Sequence, residues 1–180
     1  KRLMAYSSIS HMGFALMGLA SGGFDGVKAM LIYMVIYVIM NIGTFSFILS
    51  MEKDGQSVSD IDSLQMYSKT NPGSSLALLV LMFSLAGIPP LLGFFGKFYV
   101  LKAAISADLF FLAVIGVVAS VIGAFYYLRI VFYIYFGEDN LELDSTMSML
   151  NQTVLIMSAL AMLFGVINLF GIESLSEIAA

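Results

Sequence analysis

Long apolar stretches broken by short polar ones dominate the chain. Five runs stand out: Leu3 to Ala20, Val27 to Leu49, Leu76 to Ile105, Leu109 to Phe136 and Val154 to Phe170. Each is near or above the ~17 residues needed to cross a bilayer as a helix. Strands are excluded because the runs are far too long and lack period-two alternation. The pattern predicts an all-α, polytopic transmembrane helix bundle with about five spanning helices. The first run carries a polar patch at Ser7, Ser8, Ser10 and His11, and the third is interrupted at Gly87-Ile88-Pro89-Pro90.

The connections differ in character. Ser21 to Gly26 is short and glycine-rich, which suits antiparallel neighbours. Met51 to Ser75 is the longest, and Ser59 or Asp60 is placed to cap a short surface helix ending before Pro72. Gly137 to Gln152 is acidic, with Glu138, Asp139, Glu142 and Asp144. Loop lysines and arginines set orientation. Lys1, Arg2, Lys53 and Lys69 fall on one side, with Arg129 approaching it, whereas Lys28 and Lys102 fall on the other. The first side is expected to be cytoplasmic.

Composition sharpens the class. Hydrophobic residues make up 60% of the 180 and charged ones 11%, against roughly 25% charge in soluble domains. The net charge of −4 argues against nucleic-acid binding. With no cysteine and a single histidine, the chain lacks the ligands for an Fe–S cluster or a four-ligand zinc site. No cofactor or metal is therefore expected in this chain. It begins at Lys1 and runs straight into an apolar segment, which reads as a fragment lacking its N-terminal part.

The third run carries the chemistry. A proline removes a backbone donor and clashes with the carbonyl four residues back. Pro89 and Pro90 would thus leave the carbonyls of Leu85 and Ala86 without their usual partners. In hydrocarbon such a break survives only where protein or water satisfies the freed groups. The run is expected to be two half-helices meeting at Gly87 to Pro90. On a regular helix, Pro90, Gly93 and Lys97 share a face. Lys97 sits about ten residues, roughly 15 Å, from the far end of the run, which is too deep for easy snorkelling. An ionisable group at that depth is expected to face a partner or a hydrated path; the bland alternative is a structural lysine.

Other polar groups are weighed similarly. Lys1 is either a cytoplasmic anchor beside Arg2 or a proton-uptake point. His11 is either a proton relay or a hydrogen-bonding link between helices. Arg129 reads as structural, by snorkelling or pairing with a carboxylate. Asn41 and Asn168 read as interhelical hydrogen-bond donors. Tyr126, Tyr127, Tyr133 and Tyr135 read as an interfacial belt.

The stretch Leu85-Ala86-Gly87-Ile88-Pro89-Pro90-Leu91-Leu92-Gly93-Phe94-Phe95-Gly96-Lys97-Phe98-Tyr99 resembles the broken-helix motif of the antiporter-like membrane subunits of respiratory complex I. The opening Lys1-Arg2-Leu3-Met4-Ala5-Tyr6-Ser7-Ser8-Ile9-Ser10-His11-Met12-Gly13 resembles a second motif of that family, and Phe125-Tyr126-Tyr127-Leu128-Arg129 a third. A lysine at position 97 fits one branch of the family, where a sister branch usually carries glutamate. The resemblance implies a larger subunit built around two inverted five-helix repeats. This chain would supply most of the second repeat and the last helix, spanning 1–180. It also implies proton translocation through Lys97 near the outlet, and a location in a bacterial or mitochondrial inner membrane. Other membrane subunits of complex I would be its neighbours. NADH, FMN, Fe–S clusters and quinone would belong to partner subunits. A stand-alone multi-subunit cation/proton antiporter is the alternative within the same wider family.

Overall fold

The structure, a computed structural model, describes residues 1–53, 55–58, 60–137, 143, 147–167 and 176. Helices α1 (Arg2–Ala20) and α2 (Gly23–Leu49) form an antiparallel pair. The turn between them is tight because Gly22 and Gly23 both take positive φ, which L side chains rarely adopt. A connection follows with a two-residue-per-strand hairpin, β1 (Glu52–Lys53) and β2 (Gln56–Ser57). It continues through a 3₁₀ turn, Ile61–Leu64, and the short helix α3 (Tyr67–Thr70). The single surface helix expected here is therefore two short pieces, and Asp60 makes no side-chain cap bond. Ser59 lies outside the described residues.

The third apolar run is two helices, α4 (Pro72–Ala86) and α5 (Leu92–Ser106), of 15 residues each. Neither alone matches the helices that, among the described residues, are long and apolar enough to cross a membrane: α1, α2, α6 (Phe110–Phe136) and Met149–Ile167. The segment Met149–Ile167 is α7 (Met149–Phe164) extended by a 3₁₀ turn, Gly165–Ile167. The fifth expected span is thus the broken one. Its first half begins earlier than the apolar run because Pro72 sits in the opening turn of α4, where its missing N–H costs nothing. The acidic positions Glu138, Asp139, Glu142 and Asp144, and the end of the fifth apolar run beyond Ile167 with Asn168, lie outside the described residues. Asn41 is half-buried on α2.

Packing centres on α2, which contacts α1, α5 and α7, while α4 lies against α6 and α7. The main core joins Met40 and Ile36 of α2, Leu81 and Leu85 of α4, Ile134 of α6 and Leu155 of α7. A second, smaller core joins Phe14 and Met17 of α1, Ala29 and Tyr33 of α2, Val100 and Ala104 of α5 and Ala113 of α6. Where α2 meets the connection, Phe47 of α2 and Tyr67 of α3 pack edge to face at 5.4 Å. Burial pushes the Tyr67 phenol above its ordinary range, against an opposing hydrogen bond with Ser74. The outward faces of α1 and α6, by contrast, are rich in exposed Tyr6, Ile9, Val117, Val121 and Phe125. In water such a surface would be a large apolar patch; in a bilayer it faces lipid or other helices.

Alternating helix directions leave two polar ends. Lys1, Arg2, Asp60, Asp62 and Arg129 line a cleft at one end. Asp25, Lys28 and Lys102 line another at the opposite end.

Candidate functional site

The break in the third span has a definite local cause. Gly87 takes φ +85, the left-handed conformation that ends helices, and its N–H bonds back to the Phe83 and Ser84 carbonyls. The chain then passes through Ile88, Pro89, Pro90 and Leu91 before α5 begins at Leu92. Pro90 is exposed and precedes α5, so it does not share the helical face of Gly93 and Lys97 as a continuous helix would require. Instead the two halves overlap sideways. The Gly93 N–H donates to Ser84 Oγ at 3.0 Å, and a Cβ on Gly93 would collide with the Ser84 carbonyl.

That overlap swings Lys97 back onto the end of α4. Its Nζ donates to the Leu85 carbonyl at 2.9 Å and the Ala86 carbonyl at 3.1 Å. These are the two acceptors that the prolines deprive of partners. A third bond, at 3.0 Å, goes to Ser120 Oγ on α6. The ring of Phe14 on α1 lies over the same nitrogen at 5.4 Å. Lys97 is buried, and among the described residues none of its contacts is a carboxylate. Its counter-charge is the negative end of the α4 dipole. Gly87 is doubly constrained, because a Cβ there would meet Lys97 Cδ at 3.1 Å.

A second set of polar groups lies beside it. His11 is buried on α1, with Nδ1 at 2.6 Å from Tyr33 Oη and Nε2 at 2.9 Å from Tyr127 Oη. Tyr127 also hydrogen-bonds Ser7 Oγ. Tyr37 stacks on the imidazole at 4.9 Å. The result is a continuous chain, Ser7–Tyr127–His11–Tyr33, tying α1 to α6 and α2. Each hydroxyl both donates and accepts, and a neutral imidazole does one at each nitrogen, so the chain can be polarised in either direction. Phe14 follows His11 by three residues on the same face of α1 and touches both Lys97 and the Tyr33 ring. Tyr33 packs on Phe14 at 5.8 Å, and a Cβ on Gly96 would touch its ring.

One expectation needs correction. Tyr127 is not part of an interfacial belt: it is buried and carries the hydrogen bond to His11. Its position nine residues from the end of α6, roughly 14 Å, is itself too deep for an interface. Ser7, His11 and Lys97 all find hydrogen-bond partners within this chain. Tyr33 and Ser120 were not singled out from sequence. Tyr33 and Tyr37 had a readable signal, two aromatic hydroxyls one turn apart in the middle of a spanning run. Ser120 had only its polarity within an apolar helix.

The remaining candidates sit away from this site. Lys1 is exposed and donates to Ser57 Oγ at 2.9 Å. Arg129 is exposed in the same cleft as Asp62, its guanidinium 5.6 Å from the Tyr133 ring centre.

Known proteins place this arrangement. Subunit N of NADH-quinone oxidoreductase from Rhodobacter capsulatus is 60% identical over 180 residues, covering 100% of this chain and 38% of that relative. The same subunit from Jannaschia is 60% identical over 184 residues, again covering 100% of this chain and 38% of the relative. The chain therefore spans little more than a third of the length of these curated relatives. Respiratory complex I of Thermus thermophilus contains a chain that superposes with a TM-score of 0.82 at 26% identity, over 96% of this chain and 39% of that one. The Mrp complex from Dietzia shares the fold, with a TM-score of 0.81 at 20% identity over 97% of this chain and 41% of that one. Residues 1–123 match the family model for the membrane-spanning part of NADH:quinone oxidoreductase and Mrp antiporter subunits. With its lysine-bearing broken helix inside a multi-pass bundle, this chain belongs to the NADH:quinone oxidoreductase/Mrp antiporter transmembrane family.

Proposed function

We propose that this chain is part of a proton-translocating membrane subunit of NADH-quinone oxidoreductase, located in the inner membrane and lying beside other membrane subunits of the complex. Quinone reduction takes place elsewhere in the complex, and this chain carries protons rather than electrons. It would correspond to most of the second inverted repeat and the last helix of the whole subunit. The observation that carries the reading is the buried Lys97 ammonium held by the freed carbonyls of Leu85 and Ala86 and by Ser120.

In this mechanism Lys97 alternates between ammonium and neutral amine. When charged, it caps the end of α4 with two of its three N–H groups and donates the third to Ser120 Oγ on α6. When neutral, it keeps two N–H groups and gains a lone pair, so it can accept a proton delivered by the Ser7–Tyr127–His11–Tyr33 chain. Delivery requires Phe14 to move aside or a water to pass it. A change of field from a neighbouring subunit shifts which form is favoured. Lys1 would act as an anchor at the face where protons are collected.

The test uses membrane vesicles carrying the whole complex with Lys97→Met in this subunit. The substitution keeps the side-chain length and removes the titrating amine. The expected result is an assembled complex whose quinone-coupled proton uptake falls by about tenfold or more, since positioned acid–base groups typically contribute ~10²–10⁴. Near-normal uptake by an assembled complex would overturn the role. The shared Mrp fold favours a second reading, a stand-alone cation/proton antiporter subunit. In that case proton flux would follow a sodium gradient and ignore quinone reduction.

A further inference from the structure

We infer that Ser120 is a positioning residue for the exchange at Lys97: its hydroxyl accepts a hydrogen bond from the ammonium and donates one to the neutral amine, so the proton gained and lost is the one shared with Ser120. The inference rests on the proton-carrying reading of Lys97 and deepens it. It names which of the three N–H groups titrates and what holds the nitrogen in both states.

Three acceptors surround Nζ: the Leu85 carbonyl at 2.9 Å, the Ala86 carbonyl at 3.1 Å and Ser120 Oγ at 3.0 Å. They are not equivalent. A peptide carbonyl accepts and never donates, whereas a hydroxyl does both. When the ammonium loses a proton, a lone pair takes the place of one N–H. Turned toward either carbonyl, it would face an oxygen lone pair and leave that carbonyl unpaired. Turned toward Ser120, it meets a hydrogen that can rotate to it. The two remaining N–H groups then keep both carbonyls satisfied. Phe14 offers the face of its ring to the same nitrogen at 5.4 Å, which suits a cation and supplies no donor to a lone pair. Among the described contacts of Nζ, Ser120 is thus the side chain that serves both forms.

The hydroxyl hydrogen has a place in each state. A serine inside a helix can donate to the carbonyl four residues back, here that of Gly116. With the ammonium donating to Oγ, the hydrogen is free to turn that way; with the amine, it swings to Nζ. The change is a rotation about one Cβ–Oγ bond and needs no movement of the backbone.

Local sequence brings the hydroxyl within reach. Gly116 lies one turn before Ser120 on α6. A Cβ there would meet Met17 Cε of α1 at 2.5 Å and Leu101 Cδ2 of α5 at 3.3 Å, so its absence lets α6 settle against both helices. Tyr127 follows Ser120 by seven residues, two turns on, and shares its face. One face of α6 therefore carries the partner of Lys97 and the partner of His11 at a spacing of about 10 Å along the axis. Of the helices around Lys97, α1 brings His11, which acts on it electrostatically, and α4 carries no ionisable residue.

Ser120→Ala and Ser120→Thr are built into the whole complex and compared with the parent in membrane vesicles, with assembly checked on native gels. Proton uptake during quinone reduction is followed across pH. A bond from a charged donor is roughly twice as strong as one between neutral groups, so losing the hydroxyl unbalances the two forms of Lys97. In Ser120→Ala the midpoint of the pH dependence is expected to move by about half a unit or more, a factor of ~3 in the ratio of the two forms. Ser120→Thr keeps a hydroxyl and should restore the parent midpoint. His11 is the same in both variants, so its field does not produce the difference. Ser120→Cys, close in volume but a weak donor and acceptor, is read by the same criterion as Ser120→Ala and stands in for it should the alanine variant fail to assemble. An assembled Ser120→Ala or Ser120→Cys complex with the parent midpoint overturns the inference. So does an equal shift in Ser120→Thr, which marks a packing effect. Either result leaves the Lys97→Met measurement untouched, and normal uptake in Lys97→Met would remove the proton role whatever Ser120 does.

Discussion

Lys97 Nζ donates to the Leu85 carbonyl at 2.9 Å, twelve residues back along the chain and across a helix break. The contact turns a backbone defect into a binding position for a cation. A buried carbonyl left unpaired costs about 1–3 kcal/mol, and a hydrogen bond to a charged donor returns a similar amount. Lysine and break therefore stabilise one another.

The pairing yields a prediction for Lys97→Arg. A structural cation would tolerate arginine better than methionine. A proton carrier fails with both, because a guanidinium does not release its proton in the working range. Assembly on native gels is expected to survive Lys97→Arg, while quinone-coupled proton uptake falls by about tenfold or more. Uptake close to that of the parent would mark the residue as structural.

Gly93 and Gly87 hold the geometry that brings Lys97 to α4. Gly93→Ala drives a methyl into the Ser84 carbonyl, and Gly87→Ala imposes a strained positive φ and crowds Lys97. Each is expected to cost about 1–3 kcal/mol. Thermal dissociation of the complex, followed by native gel, should occur at lower temperature for both. An unchanged profile for Gly93→Ala would mean that the halves do not overlap as described.

Tyr127→Phe removes one hydroxyl and cuts the chain on both sides, at Ser7 and at His11 Nε2. Proton uptake is expected to fall roughly tenfold with assembly retained, within the range of a lost acid–base contact. His11→Leu should behave at least as severely. Were Tyr127→Phe to assemble and pump normally, protons would not pass through Ser7–Tyr127.

Thiols placed at Ser57, on the hairpin, and at Ser106, at the end of α5, should label from opposite sides of sealed vesicles. Both residues are exposed, and the broken span separates them. Ser176, also beyond a span, is buried and would label poorly. Labelling of Ser57→Cys and Ser106→Cys from the same side would refute the topology.

On the proposed reading, this chain expressed by itself should show no proton-coupled transport in vesicles. Its relatives are much longer, and its α1 and α6 flanks expose Tyr6 and a row of apolar residues. Robust transport by the chain alone would contradict the assignment of Lys97 as one member of a longer path.

Much of this was legible in the residues. Run lengths gave the spans, and Pro89-Pro90 located both the break and its two orphaned carbonyls. What answers those carbonyls was not legible, because helical periodicity runs through a break as though it were absent. A continuous helix puts Pro90 under Lys97; the real chain folds back and brings Ser84 and Leu85 there instead. Tyr33, Tyr127 and Ser120 escaped for a related reason. Their roles depend on which faces of α2, α6 and α1 meet, and nearly uniform apolarity around each helix leaves little pattern from which to read a face.

The dipole end that faces Lys97 is fixed in magnitude, since peptide carbonyls do not titrate. With no carboxylate among its described contacts, gain or loss of a proton at Lys97 changes the net charge inside the membrane by one. Such a change does work against the transmembrane voltage, up to about 2.3 kcal/mol per 100 mV for a full crossing. On the proposed proton-carrying role, the occupancy of this lysine would respond to membrane potential as well as to pH. On that role an energised membrane would act on the site directly, opposing or favouring its loading according to the side from which the proton comes.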